Sequence, residues 1–354
     1  MRTDPPPVDE AALAARLVEM AKPSAGERAI ILFDPTYYPG ITARLRESLH
    51  ARGVQTYAIV EDTPAMVATY INDETIPNRR EADVVETLEP VFQRSEIFYW
   101  MPTRGYGDDL RWERLVGRSH VRSIHFHWLL PFPGTRTADE IVSQSHSIEE
   151  RALTVDLAAH ARSQVRLANA LRGRTVHVTT PAGTDLTLAV RVDEWFHFGN
   201  GDASKTRADR GRWIRDRQIE LPVGMFQFVS DRDSVAGTIV TPTISQAGSA
   251  VRDARLRVAR GRIVDVAAAE GADWIRAQMP RNGPDGDRIA LVSLDTNPLS
   301  PPTGIGFDIG SNWENGGSNN ANRMWRMSIT LRDPTMIFDG RTIMRDGQLL
   351  WDAF

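Results

Sequence analysis

Apolar positions along the first 130 residues alternate between short continuous runs and helical stripes. The runs "AIILFD" (29–34), "QTYAIV" (55–60), "EIFYWM" (96–101) and "VRSIHFHW" (121–128) have the length and the β-branched or aromatic content of buried strands. Between them, the segments 9–22, 41–53, 81–93 and about 108–118 repeat apolar residues at three- and four-residue spacing. Strands separated by helices of this length predict an α/β N-terminal domain, its mostly parallel sheet covered on both faces.

The pattern changes after "LLPFPGTR". Thr137 to Glu140, "TADE", has capping-box spacing and opens an amphipathic segment to about residue 171, with Ile141, Ile148, Val155, Leu167 and Leu171 along one stripe. This predicts a long linking helix that ends an N-terminal domain of residues 1–172. From 175 onward period-two strands dominate, as in "VHVTT", "DLTLAVRV", "GTIVTP", "RIALVSL" and "RMSITLR". "GADWIRAQM" (271–279) is the one good helix among them, and Asp339-Gly340 and Asp346-Gly347 supply hairpin turns. Residues 173–354 are therefore expected to form a β-rich, mainly antiparallel C-terminal domain.

Composition narrows the function classes. A chain of 354 residues with 41% hydrophobic and 25% charged residues can bury a sizeable core. A net charge of −4 argues against a nucleic-acid or membrane-surface binder, and no apolar stretch is long enough to span a bilayer. The start, "MRTDPPPVDEAALAARL", lacks the apolar core of a secretory signal, so a cytoplasmic location is expected. Cys is absent, which removes disulfides, thiolate ligands and Cys nucleophiles together. Lys22 and Lys205 are the only lysines beside many arginines, the usual product of a GC-rich bacterial genome, and so few lysines disfavour Schiff-base chemistry.

Several stretches could carry chemistry. His125 and His127 in "IHFHW" share one face of a strand, as a metal pair or as two hydrogen-bonded core histidines. In 191–217, Asp193, Glu194, Trp195 and His197 precede a Gly-Asn-Gly turn, and His197 could act as acid or base. The charged loop after it is long enough for a lid or subunit contact. Its Arg210, Arg212, Arg215 and Arg217 could bind a carboxylate, or be neutralised by Asp209 and Asp216. "GSNWENGGSNNANRMWRMSIT" (310–330) has the Gly, Asn and Ser content of an active-site rim. The lone Gly-x-Gly in "TRGYGDD" (103–109) is a weak dinucleotide signal, and no nucleophile elbow, P-loop or His-Glu-x-x-His motif is present.

"VHVTTPAGTDLTLAV" (176–190), "ELPVGMFQFVSDRDSVAGTIV" (220–240), "RIALVSLDTNP" (288–298), the Gly-Gly-Ser-Asn loop and "LRDPTMIFDG" (331–340) occur here in one order. In that order they resemble the thermophilic-type metallo-aminopeptidases, aminopeptidase T and aminopeptidase S. Relatives on the same scaffold are 2,5-dihydroxypyridine dioxygenase and a nitroanthranilate aminohydrolase. The resemblance spans most of the chain, is strongest from 175 to 345, and implies the same two-domain fold and a homodimer. It does not carry the metal ligands across. Met225 stands where the family's "P-x-E-E-V-F" has a glutamate, and Leu291 where "R-I-A-E" has the second. Gly306 stands at a family histidine. Arg326 and Ser328, or Trp325 and Met327 one register away, fall on the final His-x-Asp. Met and Leu cannot ligate a hard or borderline divalent cation or orient its water.

The leading expectation is thus a metal-independent enzyme without a cofactor. It would act on a small carboxylate-bearing, or also aromatic, molecule by acid–base or electrostatic catalysis, and not on peptides. Arg326 would hold an anion, with His197, Asp308 and Glu314 as acid or base. Met225, Phe226, Leu291, Trp195, Trp313, Trp325, Arg323 and Asn320 would line the pocket in the C-terminal domain. The alternatives are a non-catalytic binding or partner protein on the same dimeric scaffold, and a metalloenzyme with ligands relocated among His125, His127, His197, Asp308 and Glu314.

Overall fold

The structure is a computed structural model, which describes residues 9–35, 39–60, 76–101, 110–126, 151–246, 249–300, 304–323 and 325–354. His127, the "TADE" segment and "TRGYGDD" lie outside them. The chain separates into two compact units: Met1–Val155 with Gly201–Val223, and Asp156–Asn200 with Gly224–Phe354.

The first unit is α/β. Strands β1 (Arg28–Phe33), β2 (Gln55–Val60), β3 (Ile97–Trp100) and β4 (Arg122–Phe126) alternate with the helices Glu10–Ala21, Pro39–His50, Ile76–Gln93 and Leu110–Arg118. All strand pairs in this sheet are parallel. β3 and β4 are buried along their whole length, as a sheet covered on both faces requires. On one face Ile30, Leu32, Phe98 and Trp100 pack with Phe92, Trp112 and Leu115 from the helices.

One strand of this sheet comes from far along the chain. β8 (Gln218–Leu221) pairs in parallel with β4, giving the order β2-β1-β3-β4-β8. The run 201–223 therefore leaves the second unit, forms the short helices Lys205–Arg210 and Ile214–Arg217, and completes the first sheet. The sequence pattern places a mixed-charge loop here and a boundary after 172. "QIEL" is too short to announce a buried edge strand by itself.

The helix Leu157–Leu171 belongs to the second unit, where Leu167, Ala168 and Leu171 enter the core. It has its own N-cap, Asp156, whose carboxylate accepts the Ala159 N–H at 2.9 Å. Thr154–Asp156 are not helical, so this helix is not continuous with the preceding turn. The single long helix expected to reach 171 is interrupted there, because an Asp side chain satisfies the free N–H groups of a new first turn.

Two antiparallel sheets, with the helix Ala272–Arg281, form most of the rest of the second unit. The larger has the order β12-β11-β10-β6-β5-β16-β17-β18. Its strands are β5 (Thr175–Thr179), β6 (Asp185–Ala189), β10 (Ala236–Gln246), β11 (Ser249–Ala259), β12 (Arg262–Ala267), β16 (Thr335–Phe338), β17 (Arg341–Arg345) and β18 (Gln348–Leu349). The smaller has the order β15-β14-β13-β9-β7. It consists of β7 (His197–Phe198), β9 (Met225–Phe228), β13 (Ile289–Asp295), β14 (Ile305–Gly310) and β15 (Arg326–Leu331). Val178, Leu186, Ile239 and Leu256 of the larger sheet share one core with Phe226, Phe228, Phe307 and Ile329 of the smaller. Each such phenylalanine contributes roughly 2–3 kcal/mol by leaving water. No helix among the described residues is long and apolar enough to cross a membrane.

Candidate functional site

In the smaller sheet of the second unit, side chains alternate between an apolar and a polar face. Phe226, Phe228, Val292, Leu294, Phe307, Ile309, Met327 and Ile329 belong to the core. The residues between them point to the other side. Cross-strand register lines these up as His197, Gln227, Ser293, Gly306 and Thr330 in one row, and as Leu291, Asp308 and Ser328 in the next. Met225 faces Asp295, and Arg326 faces Gly310. The four strands that carry Met225, Leu291, Gly306 and Arg326 are thus neighbours, and their polar face is one surface.

An ion cluster occupies one end of this face. Ser328 Oγ donates to Asp308 Oδ1 at 2.6 Å. Arg326 Nε stands 3.9 Å from Asp308 Oδ2, and its Nη2 stands 3.4 Å from Glu314 Oε2. Glu314 is buried and Asp308 nearly so, while Arg326 keeps about a quarter of its side chain in solvent. Both carboxylates are thereby held against one guanidinium at distances longer than a tight bidentate pair. At the other end, the buried His197 directs Nε2 to the carbonyl oxygen of Asn315 at 3.1 Å. A carbonyl only accepts, so the imidazole carries its proton on Nε2. Asn315 Nδ2 in turn donates to Gln227 Oε1 at 3.2 Å.

The Gly- and Asn-rich loop spends its side chains on its own shape. Asn312 Nδ2 donates to the Ala290 carbonyl at 3.2 Å, and its Oδ1 accepts the Asn319 N–H at 3.1 Å. Asn319 Nδ2 reaches the carbonyls of Gly310 and Ile289. Gly310 has φ +105, and a Cβ there would meet the Trp325 ring at 2.4 Å, so the strand can turn into this loop only with glycine. The loop places Glu314 beside Arg326 through a short 3₁₀ turn, Trp313–Asn315.

The expected pocket residues divide. Asp308, Glu314 and Arg326 come together in the cluster and Leu291 pairs with Asp308 across the strands, while His197 and Met225 lie on the same face away from it. Phe226 and Trp325 do not: Phe226 stacks on Phe196 in the core, and Trp325 packs near Trp274 with Nε1 donating to the Gly286 carbonyl at 2.7 Å. Neighbours on a strand face opposite sides, which separates Phe226 from Met225 and Trp325 from Arg326. Asn320 lies with Asp285, which accepts its backbone N–H at 2.7 Å and pairs with Arg232, Arg262 and Arg288. Burial works against ionisation of Asp285, but the Asn320 N–H and the arginines hold its carboxyl below the usual range. Arg323 is exposed, with its guanidinium 4.8 Å from the Trp313 ring centroid. Trp195 is half-buried outside the strands. Near it, burial raises the Glu194 carboxyl although Arg191 pairs with it at 3.0 Å.

His125 belongs to the first unit, where its ring stacks on Trp100 at 3.7 Å and its Nδ1 meets Glu220 Oε2 at 3.1 Å. Glu220 also pairs with Arg215. Arg217 donates to the Ser119 and Val121 carbonyls, and Asp216 accepts the N–H groups of Arg212 and Trp213. Arg215 and Arg217 are therefore engaged within the first unit. Ser328 and Gln227 entered the site without a sequence-based role. The two-residue spacing of Ser328 from Arg326 on a strand was the available signal.

The side chains of Met225, Leu291 and Arg326 do not suit a hard or borderline divalent cation. Leu291 is fully buried and apolar, Met225 offers only a thioether, and Arg326 brings a fixed positive charge. A Cβ on Gly306 would meet Ser293 Oγ at 2.3 Å, so a histidine there would require Ser293 to move. Among the described residues no three His, Asp or Glu side chains are grouped to hold a metal ion.

No protein-family model matches the chain, and no curated protein matches it either. Among solved structures, wild-type AmpT from Thermus thermophilus is similar, with a TM-score of 0.66 at 15% identity, covering 96% of this chain and 99% of that one. The likeness is one of fold: an α/β region joined to an antiparallel β-rich region, as in that aminopeptidase-T-like architecture.

Proposed function

We propose that the polar face around Arg326 is the active site of an enzyme that works without a bound metal ion on a small carboxylate-bearing molecule. The observation that carries this reading is the Asp308–Arg326–Glu314 cluster, and the resemblance aligns Arg326 with a metal ligand of that family. A guanidinium there supplies positive charge to a substrate carboxylate or a developing oxyanion. Asp308 and Glu314 are placed to take or give a proton beside it. Trp313, already under the Arg323 guanidinium, is the surface for an aromatic ring. The proposal includes the homodimer implied by the resemblance, and peptides are not the substrates.

A second reading, a non-catalytic binding protein, is favoured by one observation. The charge on Arg326 is already answered by two carboxylates of its own chain. A panel of small carboxylate-bearing esters, lactones and amides, assayed with chelator present, separates the two. The expected result is turnover by the wild type that survives chelation and falls about 100-fold or more in Arg326→Ala, with the thermal midpoint retained. Undiminished turnover in Arg326→Ala, or turnover that chelation abolishes, contradicts the proposal. A folded wild type inert toward the whole panel supports the second reading.

A further inference from the structure

We propose that Ser328 is the nucleophile of this site, with Asp308 as its general base; the inference rests on the catalytic reading above and names its reaction class, acyl transfer to water. Ser328 lies directly opposite Asp308 in the β14–β15 register. A carboxylate only accepts, so the 2.6 Å contact fixes the hydroxyl proton on the line to Asp308 Oδ1. Ser328 is exposed on the edge strand of its sheet, where a substrate can reach it, while Asp308 beneath is shielded. Arg326, two residues earlier on the same face, stands 3.9 Å from the other Asp308 oxygen. Nucleophile, base and a third group that orients the base thus stand in sequence, the arrangement that activates a serine. The same guanidinium supplies positive charge for the oxyanion.

The step balances with water as the only co-reactant. The Ser328 Oγ bond to the acyl carbon forms as the hydroxyl proton passes to Asp308. The leaving oxygen or nitrogen takes that proton as its own bond to the acyl carbon breaks. Water then attacks the acyl-serine and gives a proton to Asp308. That proton returns to Ser328 as the Oγ–carbon bond breaks and the acid departs.

The test treats the full chain with an alkyl fluorophosphonate, which phosphonylates an activated serine with loss of fluoride. Intact mass and peptide mapping should find one adduct per subunit, on Ser328, with none in Ser328→Ala. The labelling rate should fall about 100-fold or more in Asp308→Asn and be partly rescued in Asp308→Glu. No adduct, an adduct elsewhere, or an equal rate in folded Asp308→Asn would overturn the serine. If Asp308→Asn does not fold, p-nitrophenyl acetate decides on the wild type. A burst of one nitrophenolate per subunit that is absent from Ser328→Ala supports the inference, and no burst overturns it. Failure here is distinct from failure of the site as a whole, which the Arg326→Ala turnover reads separately.

Discussion

Asn312 does more for the candidate site than its distance from the ion cluster suggests. Its amide bridges the Ala290 carbonyl and the Asn319 N–H, and its backbone carbonyl accepts the N–H groups of Asn315 and Gly317. Removing the side chain strands a buried acceptor and a part-buried donor together. Asn312→Ala is therefore expected to cost about 2–3 kcal/mol. Urea unfolding checks it: a midpoint within experimental error of the wild type would show that the loop does not depend on this residue. The same scale explains which site residues were legible in the sequence. His197 stood out beside a Gly-Asn-Gly turn, and Arg326, with Asp308 and Glu314 as its nearest carboxylates, through the resemblance. Phe226 and Trp325 were expected beside them, yet adjacent strand positions cannot share a face, and each sits next to a residue that takes the polar side. Ser328 was legible only as an alignment position, since a lone serine on a strand signals nothing until its cross-strand neighbour is known.

Among the elements, the helix Leu157–Leu171 carries a pH dependence that can be read directly. His160 on its inner face is buried against Thr296 Oγ1 at 3.5 Å, and burial pushes its imidazole down to about 4. Gln164, one turn later, donates to Thr296 Oγ1 at 2.7 Å. The folded state holds His160 neutral while the unfolded chain protonates it near its ordinary value. Its stability contribution is therefore complete above about pH 6.5 and is lost as the pH falls toward about 4, a change of the order of 3 kcal/mol. In His160→Gln the stability difference between pH 7 and pH 4.5 should shrink by that order. An unchanged difference would show that His160 is not the group responsible. Elements with a strong period were readable from the sequence: β1 to β4 and their helices appear within a few residues of their expected places. β8 was not, because four residues carry no period, and its parallel partner β4 is some 90 residues away in the chain. Only tertiary pairing reveals that 201–223 completes the first sheet.

For the molecule as a whole, the α/β and β-rich character was legible because each half has its own hydrophobic period. Its chemistry was less so, because a fold can keep its scaffold while its site changes. The likeness to AmpT from Thermus thermophilus speaks to that scaffold. One sheet face of this chain carries Met225, Leu291 and Gly306, and at one end an arginine held by two carboxylates. The central claim is that this set works without a metal, and metal content per subunit tests it most directly. Elemental mass spectrometry on protein purified without an affinity tag should find transition metal well below one ion per subunit, in preparations that turn substrate over. One or more ions retained per subunit through purification would contradict the account and return the chemistry to a metal centre.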